Sequence, residues 1–75
     1  MSGKIEQMNL CGVKCPLNWA KAKVRLEDLA RGDMLELLLD DPKGRRDIPR
    51  AAEAEGYVIV SILETEGRWR ITIEK

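Results

Sequence analysis

The residues best suited to covalent chemistry are two cysteines, Cys11 and Cys15, which lie four positions apart near the start of the sequence. Pro16 follows Cys15 directly and suits the first turn of a helix, where a missing backbone N–H is not needed. Cys15 is therefore predicted at or beside the helix N-cap, where unpaired N–H groups and the helix dipole favour an anion. With the added charge of Lys14, the pattern predicts a lowered thiol pKa and a thiolate, the nucleophilic form of cysteine.

Each cysteine also has a purely structural interpretation. Free cysteines often behave as small apolar side chains, so Cys15 could pack beneath a helix start and Cys11 could be buried at a strand end. A disulfide between them would require the intervening turn to fold back, and C-x-x-x-C is not the usual redox spacing. The residues alone leave these alternatives open.

The composition excludes several classes of chemistry. The 75 residues contain no histidine, which excludes Ser-His-Asp triads, Cys-His pairs and histidine-containing zinc sites. Two thiols supply only half of a closed zinc site. We therefore predict no metal and no cofactor.

The charge pattern argues against nucleic-acid and membrane partners. Thirteen basic residues balance thirteen acidic residues, so no overall positive field attracts a phosphate backbone or an anionic membrane. A basic cluster over residues 43–50 is interleaved with aspartate, which is typical of a solvated face. No segment approaches the roughly 20 apolar residues of a membrane span, and residues 1–10 lack the pattern of a signal peptide. These features, with only two cysteines, predict a cytoplasmic protein.

The elements that must position the cysteines follow from hydrophobic periodicity and from turn residues. The pattern predicts a strand at residues 4–10, a helix from Pro16 to about residue 29 that is closed by Gly32, and a central strand at residues 34–39. A second helix should end at Gly56. Because Pro49 is tolerated only in a first turn, this helix is expected to begin near residues 45–47. Two further strands, at residues 57–63 and 69–73, flank a Glu66-Gly67 turn.

This order predicts an α+β fold, a two-layer α/β sandwich of βαβαββ order with a four-stranded mixed sheet and two helices on one face. The alternation of polar and apolar residues at 69–73 indicates that the other face of the sheet is exposed. A chain of this length has room for one core, so residues 1–75 are predicted to form a single domain.

The order and spacing of several short motifs resemble the TusA (SirA-like) family of sulfur carriers over roughly residues 8–75. These motifs are Cys15-Pro16 at the first helix, Asp41-Pro42, Asp47-Ile48-Pro49, Gly56 and a closing Ile-x-Ile-x-Lys. The resemblance implies a fold similar to the C-terminal domain of translation initiation factor 3 and a sulfurtransferase-type carrier with a persulfide on Cys15. It also implies a sulfur donor such as a cysteine desulfurase and a downstream acceptor protein, in tRNA thiolation, molybdenum cofactor synthesis or sulfur oxidation.

The sequence departs from the family pattern at two positions. The family motif is Cys-Pro-x-Pro, but Asn18 stands where the second proline is expected. Its side-chain amide can hydrogen-bond to the first helical turn, which proline cannot do. Cys11 occupies a position where many members have another residue, and its thiolate could resolve a persulfide on Cys15.

Three functional hypotheses follow. In the first, Cys15 carries sulfur as a persulfide, supported by Lys14, Pro16 and Asn18, and relays it to the thiol of a partner protein. In the second, Cys11 and Cys15 form a thiol-disulfide switch that alters docking to a partner. In the third, neither thiol reacts and the chain is a non-catalytic interaction module.

Overall fold

The computed structural model of the chain describes residues 4–75, so residues 1–3 of the predicted domain lie outside the described residues. Its six elements occur in the predicted order. They are β1 (Ile5–Asn9), α1 (Leu17–Asp28), β2 (Met34–Leu39), α2 (Pro42–Ala54), β3 (Val58–Thr65) and β4 (Arg68–Glu74).

The strands form one mixed sheet in the order β1-β2-β4-β3, with β2 in the interior as predicted. The strands β1 and β2 are parallel, whereas β4 runs antiparallel to both of its neighbours, β2 and β3. Because α1 joins two adjacent parallel strands, it must cross over one face of the sheet. The predicted α+β architecture is confirmed.

The hydrophobic core lies between this sheet and both helices. Every second residue of β2 is fully buried, and so are Ile71 and Ile73 of β4, as the period of a strand with one covered face requires. Both helices contribute small or branched side chains to the same cluster, which shows that they pack on the same face. The core residues are Leu10, Ala22, Leu26, Leu29, Leu35, Leu37, Leu39, Ile48, Ala52, Ile71 and Ile73.

The predicted start of the second helix is wrong. The helix α2 begins at Pro42, and Pro49 lies inside it. Asp41 is the N-cap, where its side chain accepts a hydrogen bond from the backbone N–H of Lys43, and Pro42 occupies a first-turn position in which no N–H is needed. The Asp41 cap at the start of α2 and the complete burial of Ile48 stabilise the helix by more than the lost backbone hydrogen bond of Pro49 destabilises it.

The predicted end of the first helix near residue 29 is confirmed, but its predicted closure by Gly32 is wrong. The helix α1 ends at Asp28 because Leu29 adopts an extended conformation and packs into the core. Gly32 has the expected left-handed conformation, with φ of 94°, but it lies in the turn before β2. The ammonium group of Lys75 donates hydrogen bonds to the carbonyls of Glu27 and Leu29, at 2.9 and 2.7 Å, and so satisfies the exposed end of α1.

Candidate functional site

The topology brings the N-termini of the two helices together. The strands β1 and β2 are adjacent and parallel, and each is followed by a helix, so both helices start at the same end of the sheet. Cys15 lies in the loop between β1 and α1, directly before Pro16, which is the N-cap of α1. The predicted position of Cys15 beside the N-cap is confirmed, whereas Pro16 precedes the first turn instead of lying in it.

Two aspartates at the β2–α2 junction hold the loop that carries Cys15. The backbone N–H of Gly12 donates to Asp40 Oδ1 at 2.9 Å, and the backbone N–H of Cys15 donates to Asp41 Oδ2 at 2.8 Å. The hydrogen bond from Cys15 is the main reason why the pKa of Asp41 is lowered, and the positive charge of Lys14 contributes. Asp41 thus caps α2 and also fixes the backbone of the candidate nucleophile.

The thiol of Cys15 faces a second carboxylate. Its Sγ donates to Asp47 Oδ2 at 3.9 Å, while Asp47 Oδ1 accepts a hydrogen bond from Arg46 Nε at 3.0 Å. The contact with Arg46 lowers the pKa of Asp47, so the group beside the sulfur is an ionised carboxylate. A hydrogen-bond acceptor of this kind favours the protonated thiol.

The predicted lowering of the Cys15 pKa is wrong for this arrangement. Burial of the thiol raises its pKa, and the negative charges of Asp47 and Asp41 raise it further. The opposing positive charge comes from Lys43, whereas Lys14 acts on Asp41. Partial desolvation and the two carboxylate charges therefore favour the neutral thiol over the thiolate.

Asn18 is a completely buried part of the site. Its Oδ1 accepts a hydrogen bond from the backbone N–H of Trp19 at 2.7 Å, which confirms the predicted bond to the first turn of α1. Its Nδ2 donates to the carbonyl of Val13 at 3.4 Å and to Asp41 Oδ2 at 3.5 Å. The amide therefore links the cysteine loop, the start of α1 and the cap of α2.

Cys11 lies in the same loop as Cys15, is half-buried and is a free thiol, as is Cys15. Its backbone N–H donates to Asn9 Oδ1 at 2.9 Å, a local turn that follows the end of β1. The structure thus places Cys15, Pro16 and Asn18 in one site, with Cys11 in the adjoining turn and Lys14 exposed at its margin.

Sequence reasoning missed Asp41 and Asp47 as neighbours of the thiol. The signal for Asp41 was present, because an Asp-Pro pair is a typical helix start. A start at Pro42 would have placed Asp41 at the same end of the sheet as Cys15 and Asp47 less than two turns into α2. The predicted start of α2 near residues 45–47 places neither Asp41 nor Asp47 beside Cys15.

Within residues 4–75, no group of three or more histidine, cysteine, aspartate or glutamate side chains is arranged to hold a metal ion. Neither α1 nor α2 is long and apolar enough to cross a membrane.

Comparison with known proteins finds relatives over most of the chain and agrees with the fold. A protein of Methanocaldococcus jannaschii, provisionally named a sulfur carrier protein, is 38% identical over 71 residues, which are 95% of each chain. The sulfur carrier protein TusA of Pseudomonas aeruginosa is 31% identical over 68 residues, which are 91% of this chain and 86% of that protein.

A similar solved structure is the crystal structure of a SirA-like protein from Desulfitobacterium hafniense. It matches with a TM-score of 0.82 and 29% sequence identity, and the match covers 93% of this chain and 95% of the other. Residues 6–75 also match the family described as sulfurtransferase TusA. The chain therefore belongs to the TusA family, whose named members include sulfur carriers.

Proposed function

We propose that Cys15 accepts sulfane sulfur as a persulfide and relays it to a thiol of a partner protein. The observation that carries this proposal is the position of Cys15, a partly exposed free thiol whose backbone is fixed by Asp41 at the start of α1. Membership of a family that includes named sulfur carriers supports the same role. The proposed donor is a cysteine desulfurase.

The transfer balances as a thiol–persulfide exchange. Cys15 Sγ attacks the outer sulfur of the donor's persulfide, a new S–S bond forms on Cys15, and the donor's S–S bond breaks. The donor leaves as a thiolate, which takes up the proton that Cys15 loses. Release is the same exchange, in which the acceptor's thiolate attacks the outer sulfur and Cys15 returns to the thiol.

The neighbouring residues have distinct proposed roles. Asp47 accepts the S–H hydrogen bond and holds the resting thiol protonated, so that loading requires the donor's leaving thiolate as proton acceptor. Lys14 acts through its charge on Asp41, and Pro16 directs the chain into α1. Cys11 is the proposed resolving thiol: its attack on the inner sulfur of the persulfide would form a Cys11–Cys15 disulfide and release hydrosulfide.

The test is mass spectrometry of the intact protein and its peptides after incubation with a cysteine desulfurase and cysteine, and separately with glutathione persulfide. We expect one added sulfur atom on Cys15 in the wild type and in Cys11→Ser, and none in Cys15→Ser. Loss of two hydrogens without added sulfur would favour the disulfide switch. An unchanged mass with both donors would contradict the carrier proposal.

Direct loading is a better test than thiol reactivity. A raised pKa makes the Cys15 thiol slow to alkylate near neutral pH, whether the protein is a sulfur carrier or an inert interaction module. Slow alkylation therefore does not distinguish a carrier from an inert interaction module, whereas sulfur on Cys15 does.

We further propose a cytoplasmic location and a sulfur route that includes tRNA thiolation. Cys15 loaded with radiolabelled sulfur and mixed with a tRNA-thiolating system would then pass label to the acceptor protein and on to tRNA. Label that stays on Cys15 in the presence of a competent acceptor would contradict this route.

A further inference from the structure

The side chain of Asn18 is enclosed between the loop that carries Cys15 and the start of α2. Its Nδ2 lies between the carbonyl of Val13 and Asp41 Oδ2, and the whole residue is inaccessible to solvent. A buried amide is stable only when its donors and acceptor are satisfied. Among the described residues, no buried side-chain nitrogen or oxygen is left without a partner, and Asn18 meets this condition through both helix starts.

Gly44 provides the space that Asn18 occupies. A Cβ atom at position 44 would lie closer than 3.0 Å to Asn18 Nδ2, a separation that real Cβ atoms essentially never show, and 3.4 Å from its Cγ. Glycine is a poor helix former, yet Gly44 lies within α2. The close approach of Asn18 explains why a side chain is excluded there.

We infer that Asn18 and Gly44 form a matched pair that positions the Cys15 nucleophile through Asp41. The shared atom is Asp41 Oδ2, which accepts hydrogen bonds from the Cys15 backbone N–H and from Asn18 Nδ2. The role of this pair in sulfur transfer rests on the proposed function. Asn18 is a positioning residue, because it acts on Cys15 through its hydrogen bond to Asp41.

The hydrogen bond from Asn18 also bears on the negative charge of Asp41 that acts on the sulfur. The charged groups that act electrostatically on Cys15 are Asp41, Asp47, Lys43 and Arg46. A neutral amide that donates to Asp41 offsets part of that carboxylate's negative potential. Loss of the donation leaves Asp41 to act more strongly on the thiol, so the pKa of Cys15 should rise.

The first experiment measures the pH profile of Cys15 alkylation by iodoacetamide in a Cys11→Ser background. We expect Asn18→Ala and Gly44→Ala each to raise the apparent pKa of Cys15 and to lower the thiolate fraction at pH 7 by about threefold, the scale of one weak hydrogen bond. Gly67→Ala is the control, because φ of 77° makes the substitution strained although no atom outside the turn lies within 4 Å. It should lower the thermal midpoint without changing the alkylation profile.

A double variant keeps the test decisive if the single variants are less stable. In Asn18→Ala, the amide that a Cβ atom at position 44 would meet is gone, so adding Gly44→Ala should change neither the profile nor the rate further. An equal effect of Gly44→Ala in both backgrounds would overturn the pairing. An unchanged apparent pKa in both single variants would overturn the positioning role.

Sulfur loading separates this inference from the proposed function. With a desulfurase as donor, Asn18→Ala should lower kcat for loading more than it raises KM, because the donor's binding surface is intact while the nucleophile is misplaced. If the wild type loads sulfur and Asn18→Ala loads it with the same kcat, the positioning role is refuted and the carrier proposal is not. Absence of loading in the wild type, with alkylation still dependent on Asn18, would refute the carrier proposal alone.

Discussion

Replacing Asp47 by asparagine should make Cys15 more reactive. Asp47 Oδ2 lies 3.9 Å from Cys15 Sγ, and its negative charge raises the pKa of the thiol. Asparagine keeps the size of the side chain but removes the charge. The pKa of Cys15 should therefore fall, and the thiolate fraction at neutral pH should increase.

The size of the effect follows from the distance. Even in the limit of bulk water, two unit charges about 4 Å apart change an ionisation equilibrium by about fivefold. Because Asp47 is 43% exposed, this solvent-screened limit is the appropriate one. At pH 7, well below the ordinary cysteine pKa of about 8.5, the alkylation rate is proportional to the thiolate fraction. The rate should thus increase about fivefold.

The assay is alkylation of Cys15 by iodoacetamide in the Cys11→Ser background, followed by mass spectrometry. Asp28→Asn is the matched control, because it makes the same change at the distal end of α1, where the side chain is 69% exposed. High salt should reduce the difference between Asp47→Asn and the wild type. An unchanged or slower rate in Asp47→Asn would show that the carboxylate does not set the thiol's ionisation.

Three further predictions concern stability, each measured by thermal or denaturant unfolding. Because folding lowers the pKa of Asp41, the ionised carboxylate should stabilise the protein above the ordinary Asp pKa of about 3.9, and this stabilisation should be lost as the pH falls further. In Asp41→Asn, the free energy of unfolding should therefore decrease less on acidification than in the wild type. Leu37→Ala removes a fully buried core side chain and should destabilise the protein by about 2–5 kcal/mol, so a value near zero would contradict the described core. Lys75→Met should destabilise by about 0.5 kcal/mol, with exposed Lys21→Met as a neutral control.

The sequence predicted the parts of the fold that depend on local patterning. The apolar run at β2 and the alternation at β4 reflect burial on a sheet, and the Glu66-Gly67 turn requires two left-handed residues, with φ of 52° and 77°. Pro49 taken alone predicts a start of α2 that is too late in the sequence. Asp41 and Pro42 favour the earlier start, and the tertiary burial of Ile48 holds the helix together across the proline.

The position of Cys15 beside a helix start could also be predicted, but its ionisation could not. The position of Cys15 before a helix is a local property of Cys15-Pro16, and it was predicted correctly. The pKa depends on Asp41 and Asp47, which lie 26 and 32 residues further along the chain. The residues of the loop around Cys15 therefore cannot predict the pKa of its thiol.

The parallel pairing of β1 and β2 explains why the distant residues dominate. It places the N-terminal part of α2 against the loop before α1, so the N-cap Asp41 binds the backbone of Cys15 and Asp47 faces its sulfur atom. The helix that follows Cys15 supplies a partial positive charge, whereas the β2–α2 junction and α2 supply carboxylates with full charges. The chemistry of Cys15 is therefore set by the neighbouring βα junction, and substitutions in α2 should change its reactivity more than conservative substitutions of Lys14.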